Sequence, residues 1–265
     1  EIQNVLERWK TRGIHLWHHV DGAYGGFFAA MKDMESRCSL RTETLMALNH
    51  LKKVTSVTID PHKLGYVPYA SGAIVIQNKM DYYLEHQDPP YIQFDFEKDP
   101  GPFTLEGSRS AAGAVATWMS ATAVGFNENG YGKILNRTVQ VRQILEEKLS
   151  KLDCVQIVPA SETNILCFTI AKKGESLSMA NKNTKRFIHD VSETKKFFVS
   201  KTILSSDKYK DLTHAFFNAW SPILDDDKVV CVRLCLMNPF LNSRESNIDY
   251  ITEFCNTLEA YFSKI

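Results

Sequence analysis

The chain has 265 residues, 44% of them hydrophobic and 23% charged, which is the make-up of a soluble globular protein and excludes a disordered chain, collagen or a disulfide miniprotein. Lys plus Arg equals Asp plus Glu at 31 each, so no global field recruits nucleic acid or an anionic membrane, and function must reside in local sites. No apolar run reaches the roughly 20 residues that cross a bilayer, and the expectation is a cytoplasmic chain with neither a nucleic-acid nor a membrane partner.

In chain order, residues 1–12 have the spacing of an amphipathic helix that starts at once from Glu1 rather than Met, so the chain is expected to be a piece of a longer polypeptide. Residues 15–21 form an apolar run with a polar end, stopped by Gly25 and Gly26, and predict a strand followed by a turn. A helix over about 42–51 precedes residues 54–59, whose β-branched density predicts a buried strand that breaks at Asp60-Pro61. Residues 72–76 predict a third short strand. Residues 85–104 read as a long, proline-bounded loop, and such loops inside compact domains are usually functional. An Ala-rich helix at 111–124 and a polar helix at 132–151 follow, the second suited to connect two domains.

From about residue 152 the pattern becomes α+β, with strands at 154–158, 164–171 and 229–237 and a final amphipathic helix at 247–263. Between them, residues 172–210 carry ten Lys or Arg against four acids and read as a solvated helical face. The predicted domains are 1–150 and 151–265. Six cysteines without a CxxC pair or a His at ligand spacing read as reduced, mostly buried thiols, and no metal is expected.

A lysine just past a strand is ordinarily a surface residue. Lys63 instead follows a buried strand, a sharp Asp-Pro turn and a histidine, a setting in which desolvation can make lysine an amine nucleophile or Schiff-base former. Asp21 ends another apolar strand, at the edge where open α/β sheets bind ligands. An amine and a carboxylate at neighbouring strand ends are what pyridoxal phosphate requires, one for its aldehyde and one to keep its ring nitrogen protonated.

His19-Val-Asp-Gly-Ala-Tyr-Gly-Gly26, Asp60-Pro-His-Lys63, Glu106-Gly-Ser-Arg-Ser110 and Arg233-Leu-Cys-Leu-Met-Asn-Pro239 stand in this order. With them the sequence resembles the group II pyridoxal-phosphate-dependent decarboxylases. Ile59-Asp-Pro-His-Lys-Leu-Gly-Tyr-Val-Pro-Tyr69 makes it most similar to the microbial tyrosine decarboxylase branch. The resemblance implies an α/β fold: the carboxyl-terminal part of a fold-type I large domain followed by a smaller α+β domain. It also implies a homodimer that binds pyridoxal 5'-phosphate and decarboxylates an L-amino acid, aromatic like tyrosine, to the amine and carbon dioxide.

Residue by residue, the resemblance makes Lys63 the Schiff-base lysine and Asp21 the partner of the ring nitrogen. Ala23 would lie against the ring face, and His62 would contact the phosphate or help in proton transfer. Asp60 falls among the cofactor-binding positions. Many relatives carry Asn there, although the tyrosine decarboxylase branch accepts Asp, and beside a phosphate its carboxylate would need an intervening cation. Ser108 and Arg109 either reach the phosphate of a neighbouring subunit or simply begin a helix, with Ser108 or Ser110 as its cap. Tyr91, in the loop, is the proposed proton donor to the α-carbon, and Arg233 either engages the substrate carboxylate or is structural. A carbon–carbon lyase or aminotransferase using the same cofactor is the alternative chemistry. No stretch resembles a complete phosphate cup, so a second expectation is that the piece by itself is a non-catalytic interaction module.

Overall fold

The computed structural model describes residues 2–34, 37–87, 90–91, 93, 95, 101–104, 109–243 and 247–263. Two compact units emerge, Glu1–Arg37 with Thr42–Lys133 and Cys38–Arg41 with Ile134–Ile265. They part inside the helix that the sequence reading assigns to the first domain.

The first unit contains α1 (Ile2–Lys10), a three-stranded sheet of β1 (His19–Asp21), β2 (Ser56–Ile59) and β3 (Ala73–Ile76), and α2 (Thr42–Asn49) and α3 (Ala112–Val124). In the sheet β2 is central, parallel to β1 and antiparallel to β3. The strand expected over 15–21 is ordered as strand only from His19; just before it the His18 carbonyl accepts from the Thr55 and Ser56 amides at 2.9 and 3.2 Å, and residues further upstream, His50–Lys53, wind into a 3-10 turn. Residues Gly25–Met31 wind into a 3-10 turn that buries Phe27, Phe28, Ala30 and Met31. Phe27 meets Phe126 and Tyr131 edge to face, with ring centroids 5.5 and 5.2 Å apart.

Not every apolar element of this unit is covered. Ile74 and Val75 of β3 are exposed, as are Val115, Trp118 and Met119 of α3. All residues of α3 are described, none is charged, and none is buried.

The second unit takes α4 (Tyr131–Leu149) from Ile134 onward. Its four-stranded antiparallel sheet has the order β4 (Val155–Ile157), β5 (Ile165–Ile170), β7 (Lys228–Cys235), β6 (Ser200–Ser205). Successive side chains on a strand point to opposite faces, and here both faces are covered. Leu166, Phe168, Ile170, Val232 and Leu234 join Val141, Leu145 and Phe254 in one core, while Ala171, Val229 and Cys231 join Leu177, Phe216 and Trp220 in another. That two-sided burial accounts for the nearly unbroken apolar run of β7.

The basic stretch 172–210 resolves into α5 (Leu177–Glu193) and β6. Its lysines hide a helix whose other side buries Leu177, Ala180, Thr184, Phe187 and Val191 against the sheet. Ser176 caps α5 by accepting from the Met179 amide. The remaining elements are α6 (Lys210–Trp220), a short β8 (Asn242–Ser243) and β9 (Ile248–Asp249) pair, and α7 (Tyr250–Phe262), capped by Asp249. All six cysteines are free. Fewer are buried than the sequence suggests: Cys231 and Cys255 are, Cys235 is exposed, and the rest are half-buried. Among the described residues no helix is long and apolar enough to cross a membrane, and no cluster of His, Cys, Asp or Glu is arranged to hold a metal.

The buried hydroxyl of Thr184 joins α5 to the sheet. It accepts from the Ile170 amide at 2.9 Å and shares a 2.9 Å bond with the Thr169 hydroxyl. Thr184→Val, nearly isosteric, strands a buried amide, and urea denaturation should show a loss of about 1–3 kcal/mol.

Candidate active site

The site begins with a register. Parallel pairing aligns His19 with Ser56, Val20 with Val57 and Asp21 with Thr58, so the carboxyl ends of β1 and β2 lie side by side. Asp21 therefore stands next to the strand that leads, through Asp60 and Pro61, to Lys63. The carboxylate is fixed from two directions: Oδ1 accepts from the Ala23 amide at 3.0 Å and from the Thr58 hydroxyl at 3.0 Å. The Ala23 amide first, and the Thr58 hydroxyl next, hold the Asp21 carboxyl below its ordinary value, with the charges of Lys63 and His19 adding to the pull. An exposed carboxylate, kept charged and felt by the lysine of the adjoining turn, is the arrangement a protonated ring nitrogen demands. The small Ala23, half-buried, stands just beyond it.

After β2 the chain turns sharply. The Asp60 amide donates to the Ala23 carbonyl at 3.0 Å, and the Lys63 amide donates back to the Asp60 carbonyl at 2.9 Å. Gly65 lets the turn close. A Cβ there would lie 2.6 Å from both the Pro61 carbonyl oxygen and the Phe27 ring. The Tyr131 hydroxyl clamps the same residue by donating to the Gly65 carbonyl at 2.8 Å. Within this turn the Lys63 Nζ lies 2.8 Å from Asp60 Oδ2, and His62 Nε2 lies 3.5 Å from the same oxygen. The three side chains are 33%, 19% and 15% exposed for Lys63, Asp60 and His62, half-sheltered rather than sealed.

His62 is oriented from behind. Its Nδ1 accepts from the Ser71 amide at 3.3 Å, which leaves the ring proton on Nε2, facing Asp60. Its ring stacks on Tyr69 at 4.1 Å. The Ser71 hydroxyl is held in turn by Thr117 at 2.8 Å and the Gly113 carbonyl at 3.2 Å, so α3 sets the segment that sets the histidine.

Asp21, Ala23, Asp60, His62 and Lys63 thus come together in the first unit. Tyr91 is described and 84% exposed. Ser108 lies outside the described residues, and Arg109 beside it is exposed. Arg233 belongs to β7 of the second unit, where its Nε donates to the Ser200 hydroxyl at 3.1 Å. Sequence reasoning passed over Thr58 and Ser71, which orient the predicted residues, and gave no role to Tyr69 beyond lining. A signal existed for Thr58, a hydroxyl residue amid the apolar positions of a short strand.

The residues present fit the ring end of pyridoxal phosphate, with a charged, doubly held carboxylate and a lysine on adjoining strand ends. On the phosphate side, His62 is engaged by Ser71 and Asp60, and Lys63 is the cation that the Asp60 carboxylate requires.

The chain was compared with known proteins. Residues 1–171 match the family model described as the pyridoxal-dependent decarboxylase conserved domain. An L-tyrosine decarboxylase of Enterococcus faecium is 25% identical over 309 aligned positions, covering 100% of this chain and 50% of that protein. One of Levilactobacillus brevis is 26% identical, covering 94% of this chain and 47% of its own length. Of solved structures, mouse CSAD in apo form superposes with a TM-score of 0.67 at 15% identity over 96% of this chain and 47% of that one. Catharanthus roseus tryptophan decarboxylase in complex with L-tryptophan gives 0.66 at 17% identity, over 96% and 46%. These likenesses establish the fold, the large-domain and carboxyl-terminal architecture of such enzymes. The chain spans about half the length of the curated relatives it matches.

Thr58→Val removes one of the two donors on Asp21. Carboxyl-carbon NMR should then show Asp21 titrating higher, closer to the ordinary aspartate value of about 3.9. A carboxyl held low in the folded chain stabilises it above that ordinary value, and the contribution is lost as pH falls through the depressed one. Thr58→Val should therefore flatten the acid limb of the stability profile.

Proposed function

The chain belongs to the pyridoxal-dependent decarboxylase family, and from that membership we propose that it forms the lysine-bearing part of an enzyme that decarboxylates an aromatic L-amino acid such as tyrosine. The observation that carries the reading is that Asp21 ends β1 beside β2, whose following turn carries Lys63, each of the two held by partners of its own.

When bound, pyridoxal phosphate supplies an aldehyde that an amine can capture and a ring that accepts the electron pair left as carbon dioxide departs. The remaining work falls to the protein. Lys63 Nζ is the capturing amine, presented by a turn that Gly65 and Tyr131 make rigid. Asp21, kept charged by the Ala23 amide and Thr58, holds a proton on the ring nitrogen so that the ring stays electron-poor. Ala23 leaves room for a flat ring above β1. The Nε2–H of His62, facing the same Asp60 oxygen as the lysine, serves the phosphate or a proton transfer. In this reading Tyr91 returns a proton to the α-carbon, and Ser108 contributes on the phosphate side, as Arg109 can. Arg233 reads the substrate carboxylate or supports β7.

The substrate preference rests on the named activity of the bacterial relatives. The reading also includes a homodimer working in the cytoplasm. The uncovered apolar residues of α3 and β3 favour one further element: the chain is catalytic only together with complementary structure that covers them.

Adding pyridoxal phosphate to the chain should produce an absorbance band near the visible edge, and borohydride should fix the label on Lys63. Lys63→Ala should abolish both, while Asp21→Asn should keep the label and weaken retention of the cofactor. A label that survives in Lys63→Ala would overturn the assignment. Carbon dioxide release from tyrosine, tryptophan and glutamate by the chain together with that complementary structure tests the substrate class, and release from glutamate alone would refute the aromatic preference.

A further inference from the structure

Asp60 stands in the structure with one clear engagement. Its Oδ2 meets the Lys63 ammonium at 2.8 Å and faces His62 Nε2 at 3.5 Å. Nothing about the turn requires a carboxylate there. The fold of the turn is carried by main-chain bonds, from the Lys63 amide to the Asp60 carbonyl and from the Asp60 amide to the Ala23 carbonyl, which any residue at position 60 could make. An asparagine would fill the same space, including the contact that Oδ1 makes beside Gly72, where a Cβ would lie 3.3 Å away. What the negative charge adds is an ion pair with the amine that must later be neutral to react.

We propose that Asp60 is a positioning residue for Lys63: before the cofactor arrives its carboxylate pairs with the lysine nitrogen and aims it at one place, and the pair must break before the amine can capture a carbonyl. The capture itself is a condensation. Nitrogen loses its ammonium proton to solvent, attacks the carbonyl carbon, and one water leaves as the carbon–nitrogen double bond forms, with no change of oxidation state. Two further titratable groups stand nearby: His62, which faces the same Asp60 oxygen, and Asp21 on β1, whose carboxylate feels the lysine charge. Neither replaces Asp60. His62 offers a donor rather than an acceptor, and Asp21 has its Oδ1 occupied by Ala23 and Thr58. Asp60 therefore trades speed of loading for placement of the amine.

The inference rests on the reading of Lys63 as the cofactor lysine, yet its test needs no cofactor. The chain is treated with sulfosuccinimidyl acetate at pH 7.5, and acetylation of Lys63 is followed by peptide mapping against the exposed Lys173 as internal standard. Removing a half-sheltered pair worth about 1 kcal/mol corresponds to about fivefold. Asp60→Asn should accelerate Lys63 acetylation by that factor, whereas Asp60→Glu, which alters size but keeps charge, should stay close to the wild-type rate. A merely structural role predicts the reverse, with the isosteric Asn behaving as wild type and Glu departing from it, and that result would overturn the proposal. Salt gives a second arm that needs no variant. Raising ionic strength should speed Lys63 relative to Lys173 in the native chain, and an unchanged ratio would count against the pair even if Asp60→Asn failed to fold. Failure of pyridoxal phosphate to bind would leave these rates as predicted, so the two ideas fall separately.

Discussion

The parallel pairing of β1 with β2 is the constraint on which the rest of the site depends. Three residue pairs suffice to bring a carboxylate and a hydroxyl into contact across strands, and to deliver the chain from β2 into the lysine turn on the same side. Side chains alternate along a strand, so a slip of one residue between β1 and β2 would put Asp21 and Thr58 on opposite faces and dismantle the arrangement. Such short strands cannot hold a register by main-chain bonds alone. Anchors elsewhere do so: Trp17 Nε1 donates to the buried Ser56 hydroxyl at 2.9 Å, and His19 Nδ1 lies 2.8 Å from the same atom. Ser56 thus pins β1 against β2 just before the functional pair.

A second layer of restraint runs from helix to turn. The Tyr131 hydroxyl, bonded to Ser120 at 2.6 Å, links α3 to the Gly65 carbonyl, and Thr117 and Gly113 link it through Ser71 to His62. Gly113 has to be a glycine, since a Cβ would fall 2.3 Å from the Ala70 carbonyl oxygen. These bonds tie the half-sheltered lysine and histidine to a rigid helix, which is how a turn near the surface can hold a reactive amine to one geometry.

Much of this was legible in the sequence because it resides in local wording. Asp21 and Lys63 announce themselves by their positions after short apolar runs, and the strand–turn order around them follows from β-branched density and the Asp-Pro break. Short apolar runs identified β5 and β7. What the sequence did not disclose depends on partners distant along the chain. Whether Asp60 faces a phosphate or a lysine is decided by the closure of a turn around Gly65, not by the identity of residue 60. In α5 the surface lysines dominate the composition, so the buried stripe of Leu177, Ala180, Thr184, Phe187 and Val191 is visible only once the sheet beneath is known.

The uncovered helix α3 carries a colloidal consequence. With basic and acidic residues equal at 31 each, and a pI of about 7.3, the chain has almost no electrostatic repulsion between copies near neutral pH. A tryptophan, a methionine and a valine on one uncharged helix then meet little resistance to burying themselves in whatever lies nearest. Assembly with complementary structure and clumping with further copies would draw on the same surface, so the concentration at which the chain is made and the speed of correct pairing would together decide which happens first.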